Sequence, residues 1–391
     1  MKNILEKIVS IPLTVLLMAS LWGCGRQQPE PVPTPVPQTK VQSLMEKMST
    51  KEKVGQLFII RPESLDSSLS PNQANSTYEH GVSQLTDEMA DTLKNYPAGG
   101  VALFGKNIYS PDQTVQFITD LQTASDTGMF IAVDEEGGSV SRLAANHNFD
   151  LPQYSNIGTL ENEEQALAMY TDIGSYLRKY GFNFDFAPVT DVNTNPDNIV
   201  IGSRAFGSDP DKVAGMVAAA VDGLHKSNII TSIKHFPGHG DTVGDTHNGF
   251  VQVDKTWQEM LDCEIIPFAA ALDKTDTVMV AHIACPAVTG DNTPASLSHT
   301  MITGKLRGEL GFDRIVITDS LSMNAVTDSY TSRQAAVAAI QAGADILLMS
   351  YDYISAFDGV YAAVTDGIIS EDRLDESVER ILTLKEKYGI I

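Results

Sequence analysis

From Val41 onward the chain alternates eight times between short, almost wholly apolar runs and longer amphipathic stretches. The runs are Leu57–Arg61, Gly100–Phe104, Phe130–Asp134, Phe182–Ala187, Thr231–His235, Thr277–His282, Ile315–Asp319 and Asp345–Met349. A half-exposed strand would alternate apolar and polar residues, so continuous apolar runs mark parallel strands buried on both faces. Helical signals fill the gaps. Ser110-Pro111-Asp112-Gln113 is a capping box with proline at the first helical position, and it predicts a helix to about Ala124. Asp209–Ser227, Trp257–Leu272 and Ser332–Gln341 have helical periodicity or high alanine content. Glu371–Tyr388 opens with acids and closes with Lys385, Lys387 and Gly389, as the helix dipole and a glycine stop favour. Eight such units predict an α/β fold: a single (β/α)8 TIM-type barrel. The competing doubly wound sheet carries a glycine fingerprint after its first strand, and none follows Arg61.

The first forty residues read differently. Lys2 and Lys7 flank the start of an apolar run, Ile8–Leu21, that Pro12 interrupts. It is shorter than the about 20 apolar residues a membrane span needs, and its layout is that of a signal peptide. Leu21-Trp22-Gly23-Cys24 resembles a bacterial lipobox, which implies acylation of Cys24; the plainer alternative is an ordinary secretory signal with an incidental cysteine. The prolines that follow favour an extended, solvated chain. The predicted organisation is a signal at 1–23, a lipid-bearing cysteine and tether at 24–40, and a barrel at 41–391. The protein is thus expected on the extracytoplasmic face of a membrane, held by the lipid on Cys24. With 50 acidic against 27 basic residues, the net charge of −23 excludes nucleic acid as a partner and a polybasic membrane-surface role. Three cysteines cannot form a disulfide framework, and a bridge between Cys263 and Cys285 stays open.

In a barrel of this type the chemistry gathers at the carboxyl ends of the strands. Those ends are polar here: Arg61, Asp134, Asp185, Lys234-His235, His282, Asp319 and Ser350. For Arg61, Asp185 and Ser350 the reading is ordinary strand termination. Pro62–Met89, rich in Ser, Asn and Asp, is expected as a loop over the barrel mouth. After the fifth run, His235, His239 and His247 fall within 13 positions. Pro237, Gly238 and Gly240 prevent the helix that would align the first two as metal ligands, so neither metal nor cofactor is expected. The better reading is a glycine-rich loop carrying an Asp-x-His pair, Asp245 and His247. An imidazole both gives and takes a proton near neutrality, and a carboxylate fixes its tautomer. Thr-His-Asn-Gly is also good turn chemistry, which is the bland reading of the same residues. His239 and Asp241 are read as loop architecture.

KHFPGHGDTVGDTH at 234–247 resembles the signature of glycoside hydrolase family 3, in its β-N-acetylhexosaminidase branch. PAGGVALF at 97–104, AVDEEGGSVSRL at 132–143, IGSRAFG at 201–207, VITDSLSM at 316–323 and AGADILLMS at 342–350 match in the same order. The resemblance implies a retaining exo-β-N-acetylglucosaminidase. Asp319 would be the nucleophile, His247 the acid/base in place of the usual second carboxylate, and Asp245 its partner. It implies that Asp134, Arg142, Arg204, Lys234 and His235 bind the sugar, with a terminal β-GlcNAc glycan, muropeptide or chitooligosaccharide as substrate. Without it, Asp134 reads as a cap over Glu135-Glu136-Gly137 and Arg142 as an ion-pair residue. A β-glucosidase or glycoside phosphorylase of the same family is the alternative activity, and a non-catalytic glycan-binding lipoprotein a further one. The second, sandwich domain of many family members is not expected.

Overall fold

All eight apolar runs become parallel strands: β1 (Phe58–Ile60), β2 (Gly100–Ala102), β3 (Phe130–Val133), β4 (Phe184–Asp185), β5 (Ile230–Phe236), β6 (Thr277–Val280), β7 (Ile315–Thr318) and β8 (Leu347–Leu348). The structure, a computed structural model, describes residues 39–154 and 156–391. The signal at 1–23, Cys24 and nearly all of the tether lie outside the described residues. Each strand pairs with its neighbour in the chain, and β8 pairs with β1. A parallel bridge between Ile317 and Ile346 brings β7 to the start of β8, so the sheet closes on itself. The register sets Phe58 opposite Leu347, Ile59 opposite Gly100, Val101 opposite Ile131 and Val278 opposite Val316. These residues are buried, which is why the runs carry no polar alternation. Gly100 has no room for a side chain: a Cβ there would stand 2.7 Å from the Phe130 carbonyl oxygen on the next strand.

The helices follow their punctuation. Ser110 caps Pro111–Ala124 through its reciprocal box with Gln113. Pro210–Lys226, Ser332–Ala342 and Glu371–Lys387 occupy the other expected segments. The stretch Trp257–Leu272 departs from expectation and splits into Trp257–Leu261 and Ile265–Ala271. Pro267 is the reason. It has no N–H to offer the Cys263 carbonyl, and its ring crowds that carbonyl, so one continuous helix is excluded. Cys263 and Cys285 are free thiols.

Two features build up the carboxyl-end face. Segment 62–89 is more structured than a loop, with helical turns at Pro62–Leu65 and Pro71–Ala74 and the start of helix Asp87–Asn95. It is fixed over the mouth where Asn75 Nδ2 donates to the Tyr351 carbonyl at 2.7 Å. A two-stranded parallel ribbon, Val251–Gln252 with Ile283–Ala284, ties the far end of the histidine loop to the chain after β6. Two-residue strands leave no periodic trace, and the sequence gives no sign of this ribbon. Among the described residues no helix is long and apolar enough to cross a membrane.

Candidate active site

A cavity of about 400 Å³ opens at the carboxyl ends of the strands. It is lined by Asp134, Arg142, Arg204, Lys234, His235, His247 and Asp319, each expected there, and by Arg61, Asn75, Phe104, Glu136 and His239. A second cleft, of about 440 Å³, lies among the strand starts and the C-terminal helix. Its cations already have partners: Lys387 pairs with Asp276, Arg380 with Asp345, and Arg314 donates to the carbonyls of Asp273 and Thr275. Its lining has acids and bases but no imidazole.

One wall is a network of buried charges. Lys234, on β5, donates to Asp134 Oδ1 at 2.7 Å and stands 2.6 Å from Glu136 Oε1. Arg204 grips Glu136 with both arms of its fork, Nε at 2.8 Å and an Nη at 2.7 Å, and donates to the Val200 carbonyl at 2.9 Å. Arg142 lies 3.7 Å from the other oxygen of Asp134. Burial alone would push both carboxyls up. The Arg204 and Lys234 cations instead hold Glu136 far below the usual carboxylate range, and Lys234 with Arg142 holds Asp134 below it. Burial would likewise depress Lys234, but Asp134 and Glu136 raise it, so the wall is ionised throughout.

His235 is oriented from behind. Its Nδ1 is 2.7 Å from Asp191 Oδ2, while Asp191 Oδ1 accepts the His239 amide at 2.6 Å. Although fully buried, Asp191 is held below its ordinary value by His235. It therefore accepts a hydrogen bond from the Nδ1 N–H, and His235 Nε2 lies 3.4 Å from an Nη of Arg204.

Asp319 follows β7 at the floor of the cavity, where its Oδ1 accepts the Ser320 amide at 2.7 Å. Burial pushes it up; the imidazoles of His282 and His235 and the Ser320 amide together carry it below its ordinary value. His282 stands behind the chain rather than in the cavity, 2.8 Å from the Ser320 carbonyl and 2.6 Å from the Ser296 hydroxyl. At the rim, Asp245 Oδ1 meets both the Nδ1 of His247, at 2.8 Å, and its amide, at 2.9 Å. The imidazole is 68% exposed and presents Nε2 away from Asp245. Burial works against the Asp245 carboxylate, but the hydrogen bonds from His247 outweigh it and hold the group below its ordinary value. Gly244 turns the loop at φ +112°, and the Ala325 amide fastens the Thr246 carbonyl beyond β7 at 3.2 Å.

Some strand-end readings need revision. Arg61 is not a mere terminator: it lines the cavity with its guanidinium 4.4 Å from the centre of the Phe104 ring. Asp185 is structural, as read, accepting the Glu135 amide at 2.9 Å. Asp241 bonds Thr194 and pairs with Lys255 at 3.1 Å, which is loop architecture. His239 does the same through its amide and Nδ1, yet its ring also borders the cavity. Glu136 was detectable, since residues two apart on an extended chain share a side and Asp134 was already assigned. Asp191 carries no such signal, because it arrives from an irregular loop. Among the described residues no group of three or more His, Cys, Asp or Glu side chains is arranged to hold a metal ion.

Residues 49–384 match the family model for the glycosyl hydrolase family 3 N terminal domain. This chain belongs to glycosyl hydrolase family 3. Within the family it is 31% identical over 374 residues to the beta-hexosaminidase LpqI of Mycobacterium tuberculosis, covering 92% of this chain and 89% of LpqI. It is 30% identical to beta-hexosaminidase A of Pseudoalteromonas piscicida, where it covers 78% of its own length and 56% of the relative. A glycoside hydrolase family 3 beta-N-acetylglucosaminidase from Paenibacillus sp. str. FPU-7 superposes with a TM-score of 0.80 at 36% identity, over 88% of this chain and 63% of that one. The chain thus spans little more than half of some relatives and nearly all of others.

Proposed function

We propose that the chain is a retaining exo-β-N-acetylglucosaminidase. The observation that carries this reading is one cavity holding an ionised carboxylate at its floor, Asp319, and a carboxylate-oriented imidazole at its rim, His247. The names of the beta-hexosaminidase relatives and the Paenibacillus enzyme supply the sugar. Asp134, Arg142, Arg204, Lys234 and His235 hold the terminal ring by its hydroxyls, since fixed charges satisfy several hydroxyls at once. Asp319 attacks the anomeric carbon and forms a glycosyl ester. His247 gives its proton to the departing oxygen, with Asp245 stabilising the cationic ring beforehand. The neutral imidazole then takes a proton from water, and that water releases the sugar from Asp319 with net retention. Exposure of His247 suits both halves, because the leaving group must exit and water must enter by the same rim.

The natural substrate in this reading is a cell-wall-derived or related glycan with a terminal β-linked GlcNAc, met outside the cytoplasm by a protein anchored through acylated Cys24. Mass spectrometry of the mature N-terminus tests the anchor: a diacylglyceryl mass on Cys24 supports it, and an unmodified cysteine refutes it. The chemistry is tested with an aryl N-acetyl-β-glucosaminide. Asp319→Asn is expected to lower kcat by at least about 10³-fold. A fluorinated donor that stalls the second step should leave its sugar on the peptide containing Asp319. A mutant of undiminished rate, or a sugar found on another residue, would overturn the assignment.

A further inference from the structure

His239 is buried, its ring borders the cavity, and its Nε2 has no hydrogen-bond partner among the described residues. A buried polar atom without a partner costs about 1–3 kcal/mol, so it calls for one that arrives from outside. The neighbouring bonds define what kind. Thr242 Oγ1 has three polar contacts: His239 Nδ1 at 2.7 Å, the His239 carbonyl at 2.9 Å and Asn198 Nδ2 at 3.3 Å. A hydroxyl has one proton and two lone pairs. The carbonyl only accepts, so it takes the hydroxyl proton; the Asn198 amide only donates, so it fills one lone pair. The remaining lone pair faces Nδ1, which must then carry the ring proton. Nε2 is left as an acceptor, and burial together with the nearby His235 disfavours adding a second proton. The ring also lies within electrostatic reach of Asp319, the residue proposed above to attack the anomeric carbon, and of Asp245.

We propose that His239 reads the 2-position of the sugar, its Nε2 accepting a hydrogen bond from the acetamido N–H. A 2-hydroxyl can also donate to Nε2, but its O–H rotates freely toward other acceptors, whereas the amide N–H only donates and is held in one direction by its planar group. The proposal rests on the N-acetylglucosaminidase reading above and names a residue that sets its specificity.

Two variants separate this role from a purely structural one. Asn in place of His239 puts an amide N–H where Nδ1 was, keeping the bond to Thr242 but deleting the distal acceptor. Gln places its carbonyl near the position of Nε2 and gives up the bond to Thr242. On the full-length protein, the ratio of kcat/KM for 4-nitrophenyl N-acetyl-β-glucosaminide to that for 4-nitrophenyl β-glucoside should fall about tenfold in His239→Asn. In His239→Gln it should stay within about threefold of wild type. A ratio unchanged in the Asn variant, or lost in Gln at least as far as in Asn, overturns the role of His239 while leaving Asp319 trapping intact. Wild-type protein that fails to cleave the N-acetylglucosaminide at all overturns the function and this inference with it.

Discussion

Glu136 shows how much of the cavity wall depends on a residue that holds others in place. It is fully buried, clasped by Arg204 and 2.6 Å from Lys234. Glu136→Gln would strand Arg204 and leave Lys234 with Asp134 alone, and losing one partner of a buried pair is far costlier than never having built it. We expect urea unfolding to show a loss of about 3 kcal/mol, with KM for the aryl substrate rising because Arg204 and Lys234 lose their fixed positions. A variant as stable as wild type, with unchanged KM, would contradict this. The Asp245–His247 pair makes a second prediction at this scale. The hydrogen bonds from His247 hold Asp245 below its ordinary value, so a negative charge stands 2.8 Å from Nδ1 near neutrality. Asp245→Asn removes that charge, and the alkaline limb of the kcat/KM profile should move to lower pH, while the acid limb stays in place. An unmoved alkaline limb would show that another group donates the proton. These residues differ in legibility for a physical reason. Asp319, Lys234 and His235 sit where regular strands end, so strand pattern alone placed them. Arg61 was placed at a strand end in the same way, and only its role beside the Phe104 ring was hidden; Asp191 arrives on an irregular loop, which no periodicity encodes.

At the scale of elements, the strands were legible because a parallel barrel buries them on both faces and so erases polar alternation. Helix ends were legible where caps are local, as at Ser110. The break at Pro267 was a misreading of a local signal in plain view, since proline's missing donor outweighs a run of apolar residues. The joint between β8 and the outer helices was invisible, because it depends on one acid meeting distant bases. Asp345, fully buried, accepts from Arg307 at 2.6 Å, from Arg380 at 3.1 Å, from Ser377 at 2.7 Å and from the Val316 amide at 2.9 Å. Burial would raise its carboxyl, but Arg307, Arg373 and Arg380 carry it below 3.8. Its folded-state affinity for protons is thus lower than in the unfolded chain. The resulting stabilisation is present above about pH 4 and is lost as pH falls through the depressed value. Asp345→Asn should lower stability by about 3 kcal/mol near neutrality and flatten that acid dependence. Because this joint lies at the opposite end from the cavity, kcat/KM below the melting range should match wild type. A matching loss of activity would mean the two ends are coupled.

The whole molecule sets a contrast between its field and its cavity. The chain carries −23, yet Arg61, Arg142, Arg204 and Lys234 converge on one cavity whose wall carboxylates, Asp134 and Glu136, are already paired. The excess acid acts at long range and is screened beyond about 10 Å at 0.1 M salt. The cations act at contact, inside a partly dry space where salt penetrates poorly. A substrate with an anionic leaving group therefore meets repulsion on approach and attraction only after entry. Association rate is governed by the outer field, and kcat/KM is the constant that reports it. Raising salt from about 20 mM to about 300 mM should increase kcat/KM several-fold for an aryl N-acetylglucosaminide whose aglycone bears a carboxylate. The uncharged aryl substrate should change little over the same range. A fall with salt for the anionic substrate would show that the four cations, and not the acidic surface, dominate the approach. In that case Arg61→Gln should weaken the salt dependence, because Arg61 stacks on Phe104 and has no carboxylate partner of its own within salt-bridge distance among the described residues.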